Sequence, residues 1–224
     1  MRRAVAVSPH LDDAVFSAGT ALAGLAAAGW EVCVVTAFTR SVPEPTGFAL
    51  ACQTDKGLGP EVDYMALRRE EDAAALRALG LPSPVHLPFA EAPHRGYDSA
   101  PALFEAPRGD DEIAAPLAAA LAPLLTGADL VLAPLALGGH VDHLQVRAAL
   151  RGRPTVSWHD LPYALSQAGP AAGHEQPPSQ AKLDACAAYA SQLGFQFGGD
   201  APMRAALTAV PERFGASLAA GPPS

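Results

Sequence analysis

The chain opens with two short apolar runs separated by one helical segment, and that opening restricts the fold more than anything after it. Ala4, Val5, Ala6 and Val7 form a run of the kind a strand buried on both faces requires. Residues 8–13 are polar and carry Pro9, which predicts a loop. Residues 14–28 predict a helix stopped by Gly29, and residues 32–38 are again apolar and β-branched. A strand, helix and strand so spaced form a right-handed βαβ crossover and imply a parallel sheet.

The alternation continues. Residues 65–79 predict a helix ending at Gly80, and residues 85–87 a short strand. Residues 110–125 predict a helix with Pro116 and Pro123 inside it, so an early start, a kink or a break is expected. Residues 129–133 predict a buried strand, 141–150 a helix, 155–158 a strand and 182–192 a final helix. Between these lie a long Pro/Gly-rich loop over 41–64, an irregular stretch over 88–109 and a flexible stretch over 167–180. The tail 221–224 should fray. No internal repeat appears. The expectation is one domain over residues 1–224, a Rossmann-like three-layer α/β fold with a mainly parallel central sheet.

Composition narrows the function. Half of the 224 residues are apolar and 17% are charged, a balance that sustains a core rather than a disordered chain. Lys and Arg number 15 against 23 Asp and Glu, a net charge of −8 with no basic stripe, so nucleic acid is not an expected partner. Cys33, Cys52 and Cys186 show no paired spacing, which fits a reducing compartment. No signal-like or membrane-spanning run is present, so the expectation is a cytoplasmic protein that does not engage a membrane.

Two segments carry the chemistry. One is Ser8-Pro9-His10-Leu11-Asp12-Asp13, directly after the first strand; the other is Gly138-Gly139-His140-Val141-Asp142-His143, just after the 129–133 strand. Both follow the carboxyl ends of expected parallel strands, where open α/β sheets bind ligands. His10, Asp13 and His143 offer two imidazoles and a carboxylate, a set that leaves one position open on a catalytic zinc and also accepts iron. Asp12 could take a proton from water. His140 could stabilise an oxyanion or protonate a leaving nitrogen, with Asp142 orienting its ring. Asp12 or Asp13 could equally cap the helix that follows. Arg68 and Glu71, three apart on one helix, could form an ordinary ion pair. The first loop lacks the Gly patterns of a nucleotide site.

These motifs, Pro9-His10-Leu11-Asp12-Asp13 and His140-Val141-Asp142-His143, resemble the two signatures of the PIG-L/LmbE-like family of zinc-dependent N-acetylglucosaminyl deacetylases. Arg68 with Glu71, then Ala75 and Leu79-Gly80, resemble the family's helix that presents an Arg to substrate. His94-Arg95-Gly96-Tyr97, Asp160-Leu161-Pro162-Tyr163, and Lys182 with Tyr189, Ser191 and Gln192 resemble segments of a bacterial subgroup. The resemblance runs from Ala4 to about Gln192. It implies hydrolysis of an acetamide on an amino sugar or its glycoside, with His10, Asp13 and His143 on the metal. Zn²⁺ is the expected ion, with Fe²⁺ or another divalent metal as alternatives. Asp12 is then the base, His140 and Asp142 assist, and Arg68 and Arg95 contact the substrate, a small molecule or glycan. The chain departs from the pattern at four places. Leu11 replaces the usual Pro, Ala14 the usual Glu and Glu91 a common Asp, and Gly138 stands where some members place a catalytic Tyr. The alternative reading is a non-catalytic, metal-containing carbohydrate-binding protein on the same fold. Oligomeric state is not legible.

Overall fold

A computed structural model describes residues 1–215. The strands are β1 (Arg3–Ser8), β2 (Glu31–Thr36), β3 (Val85–His86), β4 (Leu130–Pro134), β5 (Val156–Trp158), β6 (His174–Gln176) and β7 (Glu212–Phe214). They form one sheet in the order β3-β2-β1-β4-β5-β7-β6. The first five in that order run parallel, and β7 is antiparallel to both of its neighbours. The expected mainly parallel α/β sheet is therefore present.

The alternation along β1 builds the layers. Ala4 and Ala6 face one core, and Val5 and Val7 face the other, as the period of two in a strand requires. On the first face lie α1 (Asp13–Ala27), α3 (Tyr64–Ala78), α6 (Gln180–Cys186), α7 (Ala190–Phe197) and α8 (Asp200–Ala209). On the second lie α4 (Ala114–Leu124) and α5 (Val141–Ala149), packed through Leu117, Leu121 and Val146. Gly29 takes φ +81°, and the chain turns there into β2.

Several expectations change in detail. The long loop over 41–64 contains a helix, α2 (Gly47–Thr54). The helix expected over 110–125 starts at Ala114, which places Pro116 in its first turn, where no N–H partner is lost. The helix expected over 182–192 is two helices, because Tyr189 turns inward and its hydroxyl donates to Asp72 Oδ1 at 2.8 Å. The stretch expected to be flexible contributes β6, and β7 and α8 lie beyond the last expected element. The tail 221–224 lies outside the described residues. Among those described, no helix is long and apolar enough to cross a membrane. Buried Lys182 Nζ lies 3.0 Å from buried Glu212 Oε1, and Glu212 also accepts from the α1 backbone at Thr20 and Ala21. That group ties α6 and the antiparallel edge to α1.

Candidate active site

The sheet order reverses beside β1: the chain leaves β1 towards β2 on one side and reaches β4 on the other. The crevice beyond these strand ends is where an open α/β sheet accepts a ligand. Both chemistry-bearing loops converge there. After β1, the Ser8 hydroxyl donates to His10 O at 2.7 Å and accepts Ala14 N–H at 3.0 Å, which pins the loop over the start of α1. After β4, the chain turns through left-handed residues at Ala136 (φ +62°), Gly138 (+91°) and Gly139 (+77°) before α5 begins. The two glycines take this conformation without strain.

His10, His140 and His143 come together, with ligand-capable atoms within 4.8 Å of one another. Asp13 joins them. Its Oδ2 accepts His10 N–H at 2.8 Å and lies 3.1 Å from His10 Nδ1 and 3.3 Å from His143 Nε2. The outer nitrogens of two of these rings are held by carboxylates. His10 Nε2 donates to Asp142 Oδ2 at 2.9 Å, and His143 Nδ1 donates to Asp160 Oδ1 at 2.8 Å. A carboxylate only accepts here, so each of these nitrogens carries the proton and its partner in the ring presents a lone pair inward. His143 Nε2 is fully buried and makes no hydrogen bond. A buried lone pair without a donor is costly, and a divalent metal satisfies it. His10 Nδ1, Asp13 Oδ2 and His143 Nε2 thus fit a metal.

His140 differs from the other two. Its Nδ1 accepts the N–H of Asp142 at 3.2 Å, so the neutral ring carries its proton on Nε2 and acts as a donor. Burial, reinforced by the neighbouring His10, pushes its pKa down to about 3, which keeps the ring neutral.

Asp12 occupies the position before α1, yet its side chain makes no capping hydrogen bond. Its Oδ2 instead accepts Gln196 Nε2–H at 3.0 Å and lies 3.6 Å from Arg68 Nη2. Burial pushes its pKa up to about 6; Arg68 counters the shift and Asp13 adds to it. Arg68 is buried and also pairs with Glu91, the residue that departs from the usual Asp. Its expected partner Glu71 turns elsewhere and accepts the N–H and the hydroxyl of Ser191.

Two expected roles are corrected by these contacts. The Asp142 carboxylate does not meet His140; it holds His10, accepts Ala92 N–H at 3.1 Å and lies 2.8 Å from Arg95 Nη1. Arg95 does not line the cavity. Its guanidinium donates to both oxygens of Asp111 and to Ala90 O, and it stacks 4.9 Å over Phe38. It is a scaffold residue behind Asp142. Trp158, at the end of β5, is fully buried in the core.

A cavity of about 410 Å³ opens over the cluster. Its floor contains His10, Asp12, Asp13, His140 and Arg68, and Phe48, Phe104 and Phe195 form an apolar lip. A hollow of about 500 Å³ beside Arg147, Arg151 and Arg153 lies away from this chemistry and is lined by neither carboxylate nor imidazole. Sequence reasoning missed Gln196 altogether, because nothing in its neighbourhood marks it. Asp160 and Tyr163 belong to the Asp160-Leu161-Pro162-Tyr163 segment, whose local sequence gives no sign of what either contacts. Burial and the surrounding carboxylates hold the Tyr163 phenol well above its ordinary pKa, so it stays protonated.

The sequence profile described as GlcNAc-PI de-N-acetylase (PIG-L) matches residues 5–152. The 2'-N-acetylparomamine deacetylase of Streptomyces fradiae is 39% identical over 173 residues, which is 72% of this chain. The chain spans 58% of the length of that relative. Among solved structures, a deacetylase–bog complex from the teicoplanin biosynthesis pathway superposes with a TM-score of 0.74 at 32% identity, covering 85% of each chain. The A40926 pseudoaglycone deacetylase gives 0.72 at 32% identity, over 86% of this chain and 83% of that one.

Proposed function

The chain belongs to the PIG-L family, and from that premise we propose that it is a metal-dependent hydrolase that removes the acetyl group from an N-acetylated amino sugar or its glycoside. The observation that carries this reading is the inward set of His10 Nδ1, Asp13 Oδ2 and His143 Nε2, with Asp12 beside it under an open cavity. In this reading His10, Asp13 and His143 hold the metal, and Zn²⁺ is the ion we assign. When bound, the ion supplies Lewis acidity towards water and towards the amide carbonyl.

The chain's own groups do the rest. Asp12 accepts a proton from the attacking water and delivers it to the departing nitrogen. Gln196 and Arg68 hold the Asp12 carboxylate in place. His140, with its proton on Nε2, donates a hydrogen bond to the carbonyl oxygen as negative charge develops there. Asp142 acts through His10 by fixing its ring, and Arg68 offers the sugar a cation at the cavity floor. Three unpaired cysteines fit a reducing, cytoplasmic setting.

The test is acetate release by the zinc-loaded protein across N-acetylglucosamine conjugates and N-acetylated aminoglycosides. Turnover that disappears on chelation and returns with added zinc is the expected result. A filled metal site with sugar binding and no acetate from any conjugate would instead support a carbohydrate-binding role.

A further inference from the structure

Tyr163 stands in the wall of the cavity with no task in the scheme above. It follows Pro162 in a short 3-10 turn after β5. Its ring packs edge-on to His143 at 5.7 Å between centroids and to Phe104 at 5.9 Å. Phe104 in turn meets His140 edge-on at 5.4 Å, so Phe104 packs against both the His140 ring and the Tyr163 phenol. The hydroxyl has no hydrogen-bond partner among the described residues, and the ring lines the same cavity as Asp12 and Asp13. A hydroxyl that lines a cavity and has no protein partner is free to donate to a ligand.

The turn is held in register with the metal-side groups. Asp160 Oδ1 accepts from His143 Nδ1, Asp160 Oδ2 accepts Leu137 N–H at 2.8 Å, and Asp160 O accepts Ala164 N–H at 2.8 Å. One residue therefore links His143, the loop after β4 and the turn that carries Tyr163. The loop makes room for the ring. A Cβ on Gly138 would lie 2.7 Å from Tyr163 Cδ1 and 2.8 Å from Cγ, closer than any real contact. Only glycine at 138 permits both the left-handed turn and the seated ring.

We propose that Tyr163 is a catalytic residue whose O–H donates a hydrogen bond to the acetamide oxygen in the transition state, alongside His140, and that Gly138 is the residue that lets it do so. This rests on the deacetylase reading. In the step, the water oxygen bonds to the carbonyl carbon while its proton passes to Asp12. The C=O π pair moves onto the oxygen, and Tyr163 keeps its own proton while bonded to that oxygen. When the oxygen's pair returns to carbon, the C–N bond breaks, and its pair takes the proton from Asp12.

Tyr163→Phe in the zinc-loaded full chain isolates the hydroxyl, since the ring and its packing remain. The expected result is a fall in kcat of about 10²–10³-fold, the effect of deleting one oxyanion donor. KM, metal content and melting temperature should stay as in wild type. Calorimetry gives a second readout: a substrate mimic with a methylphosphonamidate in place of the acetamide should bind the variant correspondingly more weakly, and the product amine should bind both equally. An active wild type with an unchanged kcat in Tyr163→Phe, or equal binding of the phosphonamidate, overturns the proposal and leaves the deacetylase reading intact. Failure of the wild type to release acetate from any conjugate overturns both.

Discussion

Asp142 lies one residue before His143 and two after His140, yet its carboxylate is committed to His10, 132 residues away, at 2.9 Å from Nε2. The contact joins the two motifs directly. It fixes the tautomer that leaves His10 Nδ1 facing Asp13, and Asp160 does the same for His143.

Because these carboxylates orient the rings, Asp142→Asn should loosen the metal without touching it. Outer carboxylates of this kind are worth about 10–100-fold in metal affinity. Competition with a chromophoric chelator should show Asp142→Asn and Asp160→Asn each weakened in that range. Wild-type affinity in both variants would contradict the role.

Arg95 neutralises Asp111 and Asp142 together; Asp142 is fully buried, and the half-buried Asp111 keeps its side chain only 3% exposed. Removing one partner of a buried ion pair costs about 3–5 kcal/mol, because the other charge stays uncompensated. Arg95→Met should lower stability by that order in denaturant titration. It should leave the ratio of kcat/KM values between different N-acetyl sugars unchanged. A changed sugar preference would return Arg95 to the substrate site.

The same cluster sets an acid limit. Burial alone would raise the pKa of Asp111, but Arg95, Tyr97 and Gln145 hold it below the ordinary carboxylate range. A folded pKa below the unfolded one contributes stability that is fully present above the unfolded value, near 4, and lost as pH falls through the folded value. Asp111→Asn should therefore be less stable than wild type at neutral pH, with the gap narrowing as pH falls below about 4. A constant gap across that range would contradict the linkage.

Lys182 and Glu212 form a fully buried pair at the antiparallel edge. Lys182→Met leaves Glu212 charged beside the α1 backbone and should cost about 3–5 kcal/mol. Lys182→Met combined with Glu212→Gln should recover much of that loss in thermal unfolding. Equal loss in the single and double variants would show that the charge is not the cause.

The parallel half of the fold was legible because its strands are continuous apolar runs between capped helices, as in residues 4–7 and 129–133. The antiparallel edge was not. β6 and β7 are each three residues long, and neither gives a period of two a chance to show. α2 was hidden between prolines and glycines, with Pro43 and Pro45 just before it. At the site, ligand types and their loops could be read from local motifs. Partnerships could not, because Asp142 with His10, Arg68 with Glu91 and Gln196 with Asp12 are set by how distant elements pack. Adjacency in sequence suggested His140 for Asp142 and Glu71 for Arg68, and packing overrode both.

In the proposed reaction Asp12 moves the proton while His10, Asp13 and His143 hold the metal. The most direct measurement compares wild type and Asp12→Ala for acetate release, with zinc content determined on the same samples. Full zinc occupancy is expected in both, with a loss of kcat of about 10²–10⁴-fold in the variant, the range of a general base. Full activity with full zinc in Asp12→Ala would contradict that role.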